Sequence, residues 1–113
     1  MFGLFGKSLN SEEERSKAYL LFTEWGPRAQ VDRFARLTKK FPRTPPETLH
    51  QWIKDFELVD ARVWSCAEKG GAKALTAGDF EAMMKKEFPW MCKNALTKAW
   101  GLVSYYVYHE GFG

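Results

Sequence analysis

The side chains best suited to covalent or metal chemistry are two cysteines and two histidines, Cys66, Cys92, His50 and His109. A Cys–His dyad needs the two groups within hydrogen-bond reach. Both cysteines lie in apolar helical patterns, and such surroundings disfavour the reactive thiolate. The four residues are separated by 16, 26 and 17 positions, whereas structural zinc sites use closely spaced ligand pairs. We therefore predict neither a catalytic site nor a metal site.

The glycine pair Gly70-Gly71, followed by Ala72-Lys73, is the nearest approach to a phosphate-binding loop. It lacks the longer frame in which a glycine-rich loop ends at a lysine and a hydroxyl residue. A helix end followed by a turn accounts for both glycines. We predict a non-enzymatic protein with no cofactor and no small-molecule substrate.

The composition is that of one globular domain of 113 residues, with 45% hydrophobic, 27% charged and 16% aromatic residues. No stretch approaches the ~18 consecutive apolar residues of a membrane helix. Residues 1–10 are predicted to form a loose N-terminal arm. The alternative is a small amphipathic segment that binds a membrane surface. Without a secretion signal, both cysteines are interpreted as buried thiols and the cytoplasm as the compartment.

Five helices are predicted, so the fold class is all-α: a compact bundle. Capping boxes are predicted at Ser11, Thr44 and Thr76, each with an acidic residue three positions later. The second helix is predicted from about Pro27 to residue 40 and the last from Pro89 to about residue 108. The third helix carries an apolar stripe over five turns: Leu49, Trp52, Ile53, Phe56, Val59, Val63 and Ala67. The stripe of the last helix is Cys92, Ala95, Leu96, Ala99, Leu102, Val103 and Tyr106.

Positive charge is concentrated in residues 27–54, which hold seven basic and two acidic residues, whereas the rest of the chain is slightly acidic. Two helices joined by a turn, with a basic surface, form the layout of helix-turn-helix DNA readers. Residues 41–54 resemble the recognition helix of that family, although Pro42 stands where a glycine is usual. The resemblance implies nucleic-acid contacts by Arg33, Arg36, Lys39, Lys40, Arg43, His50, Gln51 and Lys54. A solvated basic face, or one that meets an acidic protein, remains the alternative.

The last helix carries a second, uncharged strip opposite its core stripe. Its predicted members are Trp90, Thr97, Gly101, Ser104 and Tyr108, flanked by Trp100 and Tyr105. Either the helix is central and covered on both sides, or the strip contacts a second copy or another protein. We therefore predict a protein-interaction module, such as an adaptor, inhibitor, immunity or regulatory protein. The alternative is a helix-turn-helix-like nucleic-acid-binding protein.

Overall fold

The computed structural model describes residues 4–24 and 32–110, with side chains described from residue 12 onward. Five α-helices follow one another in this part of the chain: α1 (Leu4–Glu24), α2 (Arg33–Lys40), α3 (Pro46–Glu68), α4 (Ala77–Glu87) and α5 (Lys93–Glu110). A 3-10 turn, Gly71–Lys73, links α3 to α4. The described residues contain no strand, and the predicted all-α class is confirmed.

Helices α3 and α5 pack against each other and hold the bundle together. Helix α3 also contacts α1 and α2, and α5 also contacts α1, α4 and the 3-10 turn. The apolar stripe predicted on α3 is buried, apart from the half-buried Ile53. The stripe of α5 is likewise inward, with Leu102 and Cys92 half-buried. Helical periodicity was therefore sufficient to identify the core face of both helices.

Three predicted helix starts agree only in part with the structure. The capping box at Thr76 is confirmed: its hydroxyl accepts from the Asp79 amide at 3.0 Å, and the Asp79 carboxylate accepts from the Thr76 amide. At α3 the N-cap is Pro45, with no side-chain capping bond, so the capping box predicted at Thr44 was wrong. The helix start predicted at Ser11 was also wrong, because the backbone is already helical from Leu4. The loose arm and the single domain stay predictions.

In the described residues α2 begins at Arg33, and the last helix begins later than predicted, at Lys93. Asp32 caps α2, its carboxylate accepting from the Ala35 amide at 2.9 Å. The predicted start at Pro27 lies outside the described residues. Pro89 does not open α5; it lies in a turn that precedes Lys93. In that turn the Met91 amide donates to the Phe88 carbonyl at 3.0 Å.

Side-chain hydrogen bonds attach this turn to the rest of the bundle. The buried Ser16 hydroxyl on α1 donates to the Trp90 carbonyl at 3.3 Å and accepts from the Cys92 amide at 2.9 Å. The Lys85 ammonium at the end of α4 donates to the carbonyls of Pro89 and Met91. The start of α5 is therefore positioned by α1 and α4. None of the described helices combines the length and apolar character needed to cross a bilayer.

Candidate functional surfaces

The solvent-facing side of α5 is the first candidate surface, and we call it the α5 outer face. Its members, spaced three or four residues apart on one side of the helix, are Thr97, Gly101, Ser104, Tyr105 and Tyr108, all exposed. Tyr108 is 81% exposed and Tyr105 is 46% exposed. Tyrosine is one of the residue types enriched at protein–protein interfaces. Trp100, predicted at the edge, is half-buried against Phe80 at a ring distance of 5.1 Å.

Aromatic rings extend the α5 outer face sideways onto α3. Trp64, itself 37% exposed, meets the edge of Tyr106 at a ring distance of 5.1 Å. Tyr106 in turn contacts Tyr105 at 5.7 Å, and Tyr105 contacts His109 at 4.1 Å. Trp64, Tyr105, Tyr106 and His109 therefore form one connected group of rings across α3 and α5.

Gly101 lies in open space on the α5 outer face. A Cβ added there would meet no atom within 4 Å, and the residue is exposed. A glycine inside a helix costs about 0.5–1 kcal/mol of stability relative to alanine. Packing within the described bundle gives no reason for this cost. Close approach by another backbone would give one, since a glycine removes the side chain that keeps two helices apart.

Trp90 was wrongly predicted to belong to this surface. It is only 7% exposed and lies in the turn before α5, so it has no place on the helix face. Its ring packs against Phe56 at 5.7 Å and Tyr19 at 6.3 Å. The Arg15 guanidinium lies 5.4 Å from the ring centre, on the side toward α1. Trp90 is a core residue.

The predicted basic segment forms the second candidate surface. On α2 and the following turn, Arg36, Lys39, Lys40 and Arg43 are exposed. The first three line a groove together with Leu21 and Glu24 at the end of α1. Lys54, on the first half of α3, is also exposed. The side chains predicted to meet phosphates are thus accessible on both helices.

Three residues of the predicted nucleic-acid set have contacts inside the protein. The Arg33 guanidinium lies over the Phe22 ring at 4.7 Å and is half-buried. The His50 ring stacks on Phe34 at 4.0 Å with an angle of 4° between the planes, which ties α3 to α2. The Gln51 amide donates to Asp55 at 3.1 Å. The Asp55 carboxylate therefore lies beside Gln51, and the His50 ring lies flat against Phe34 of α2.

A crevice enclosed by α1, α2, α3 and α5 was not foreseen from the sequence. Its volume is about 200 Å³, and its lining is Phe22, Thr23, Arg33, Glu57, Asp60, Leu102 and Tyr106. Inside it the Tyr106 hydroxyl donates to Asp60 Oδ1 at 3.2 Å. Burial raises the pKa of the Asp60 carboxyl, although the Tyr106 hydrogen bond and the charge of Arg33 oppose this.

Two tyrosine hydroxyls lie near this carboxylate. Burial and the negative charge of Asp60 raise the pKa of Tyr106 to about 12. Tyr19 is completely buried, and burial followed by the charge of Asp60 raises its pKa still further above the ordinary value. Its hydroxyl makes no hydrogen bond within the described residues. A buried hydroxyl without a partner costs about 1–3 kcal/mol, so the Tyr19 hydroxyl is an unsatisfied polar group of the described core.

The residues considered first for chemistry are dispersed in the described structure. Cys66 is buried on α3, where burial raises its thiol pKa, and Cys92 is half-buried before α5; neither forms a disulfide. The described residues contain no group of three or more His, Cys, Asp or Glu side chains that could hold a metal ion. Comparison of the chain with protein-family models, curated proteins and solved structures gave no significant match in any of the three.

Proposed function

We propose that this protein is a non-enzymatic interaction module of the cytoplasm that binds another protein, or a second copy of itself, through the α5 outer face. The observation that carries the proposal is Gly101, exposed at the centre of that face with open space around it. The neighbouring small residues Thr97 and Ser104 extend the low part of the surface along the helix. Tyr105 and Tyr108 supply large anchors beside it.

The chemistry of this face suits a helical protein partner. It carries no acidic residue, and small side chains at one side let a helix backbone approach closely. Tyrosines bury a large area at small rotamer cost, and their hydroxyls can form hydrogen bonds at the rim. Adaptor, inhibitor, immunity and regulatory proteins all act through such contacts, and the α5 outer face does not distinguish among these roles.

A matched pair of glycine substitutions tests the proposal. Gly101→Leu places a bulky side chain at the centre of the face, and Gly78→Leu makes the same change on α4. At Gly78 an added Cβ meets only the Thr76 hydroxyl at 3.8 Å. Both changes remove a helical glycine and are expected to raise the free energy of unfolding, by about 0.5–1 kcal/mol in a helix interior. Only Gly101→Leu is expected to weaken association.

Sedimentation velocity over a concentration series measures self-association of the wild type and both variants. To test binding to another protein, the wild type and the two variants are each used as bait. The proteins that they capture are identified and then titrated one by one against the purified chain. Loss of binding with Gly101→Leu, but not with Gly78→Leu, supports the proposal. Equal binding by the two variants, whether to a second copy or to a purified partner, would refute it.

Nucleic-acid binding is the second candidate, favoured by the exposed cations Arg36, Lys39, Lys40 and Arg43 beside Lys54. Fluorescence anisotropy with labelled duplex and single-stranded DNA over a salt series tests it. Log affinity for a duplex falls with log salt at a slope near −0.9 per phosphate contacted. Lys40→Glu and Lys54→Glu should weaken binding and flatten the slope, whereas Lys86→Glu on α4 should change neither. Absence of binding at low salt removes this candidate.

A further inference from the structure

The exposed residues of the α5 outer face are arranged around Gly101 at matching distances. Successive residues of an α-helix are rotated by about 100° and raised by about 1.5 Å. Tyr105 therefore lies one turn after Gly101 on one side of the face, and Thr97 lies one turn before it on the other side. Ser104 is on the same side as Thr97. A small residue thus occupies the centre of the face, with unlike residues equally far before and after it.

Lys98 is the cation that borders this face. It is half-buried and lies on the same side of the helix as Tyr105. Lys93 pairs with Glu81 at 2.8 Å, whereas Lys98 takes part in none of the ion pairs between described residues. Glu110, the one acidic residue of α5, lies at the far end of the helix. The Lys98 ammonium is therefore available to a group on a partner.

A symmetric dimer requires a surface that is complementary to itself. When two copies of α5 pack antiparallel and cross at Gly101, a residue before the crossing on one copy meets residues equally far after it on the other. Lys98 then faces the ring of the second copy's Tyr105, and the two differ in height by only about 1.5 Å. A lysine ammonium is attracted to the face of a tyrosine ring. The other opposed pairs are Thr97 with Ser104 and Asn94 with Tyr108.

A parallel pair of α5 helices lacks this match. It separates Lys98 from the second copy's Tyr105 by about 10 Å along the axis. It also brings the two Tyr108 side chains to the same height near the line of contact, where their bulk holds the helices apart. The helix dipoles point the same way in a parallel pair and oppose each other in an antiparallel one. The antiparallel arrangement is therefore the self-complementary one.

We propose that the α5 outer face binds a second copy of the chain as an antiparallel pair of α5 helices crossing at Gly101, with Lys98 of each copy against Tyr105 of the other. This inference rests on the proposed function and names its partner. Charge complementarity selects a second copy, because the cation and the ring that suits it lie at matching distances from one glycine. The open space around Gly101 lets the two backbones approach.

New cysteines report the direction of the two helices. Thr97→Cys and Ser104→Cys are purified separately, mixed and mildly oxidised at a concentration where sedimentation detects the dimer. The mixture is expected to form a disulfide-linked dimer, because antiparallel packing brings positions 97 and 104 together. Neither variant is expected to cross-link alone, since identical positions lie about 9–12 Å apart along the axis, beyond disulfide reach. The wild type, with Cys66 and Cys92, gives the background.

A lysine substitution tests the contact itself. Lys98→Met keeps an unbranched apolar chain and removes the charge, and it should weaken dimerisation at least about fivefold, since each dimer loses two cation–ring contacts. Lys86→Met, an exposed change on α4, should alter it less than about twofold. A wild type that stays monomeric, a mixture that does not cross-link, or wild-type dimerisation by Lys98→Met would each overturn the proposal. The proposed function fails separately, when Gly101→Leu and Gly78→Leu bind every partner equally.

Discussion

Replacement of Ser16 by alanine tests whether one buried hydroxyl positions the start of α5. Ser16 is the buried polar residue of the described core, with no exposed area. Its hydroxyl accepts from the Cys92 amide at 2.9 Å and donates to the Trp90 carbonyl at 3.3 Å, 76 and 74 residues away. Ser16→Ala leaves both backbone groups without this partner, while hardly changing the packed volume.

The magnitude follows from the two hydrogen bonds and the helix propensity of the new residue. A buried backbone group left unsatisfied costs about 1–3 kcal/mol, and the longer bond contributes at the low end, so about 2 kcal/mol is lost. Alanine returns about 0.5 kcal/mol within α1. The expected net loss is about 1.5 kcal/mol. For 113 residues this lowers Tm by roughly 6 °C.

The assay is urea unfolding followed by tryptophan fluorescence, with Ser65→Ala as the matched control. The Ser65 hydroxyl, half-buried on α3, makes no hydrogen bond to another described residue, so this variant should be unchanged or slightly more stable. Hydrogen exchange should show faster exchange of the Cys92 amide in Ser16→Ala. Equal stability of the two variants, with unchanged protection at Cys92, would refute the reasoning.

Two further predictions concern a glycine and a carboxylate. Gly71→Ala should destabilise the protein by about 1–3 kcal/mol, because φ is +56° and a Cβ would lie 3.0 Å from Val107 and 3.2 Å from Val103. Urea unfolding measures the loss, and Gly101→Ala, which is expected to stabilise the protein, is the control. Asp60→Asn should be the more stable protein at pH 7, because burial raises the Asp60 pKa and disfavours its ionised form in the native state. Protonation of Asp60 removes that disadvantage, so the difference should shrink as pH falls through the raised native pKa and be largely gone by about pH 4, near the ordinary value of a carboxyl. A difference independent of pH would contradict the assignment.

The buried face of α3 was predictable because it depends on local periodicity alone. From Leu49 to Ala67 the apolar residues recur at three- and four-residue intervals, and no turn interrupts their phase. The end of α3 was equally predictable from the sequence, since the glycine just after it, Gly70, adopts a φ of +104°. Such local signals act within one or two turns of a helix, and a sequence displays them directly.

Trp90 could not be placed in the same way, because the helical phase of α5 does not continue through the turn before it. Extrapolating seven residues back from Thr97 put Trp90 on the outer side, whereas the helix begins only at Lys93. The bonds that turn this tryptophan into the core come from Ser16 and Lys85, on two other helices. The crevice was missed for the same reason: its lining residues Phe22, Asp60 and Tyr106 come together only after α1, α3 and α5 have packed.

The two candidate surfaces and the crevice differ in chemistry, and this makes proposals about them separable by experiment. The α5 outer face is uncharged, the basic surface is cationic, and the crevice has more carboxylates than cations in its lining. Charge reversal at Lys40 should therefore leave Gly101-dependent association unchanged, since distant substitutions usually act independently.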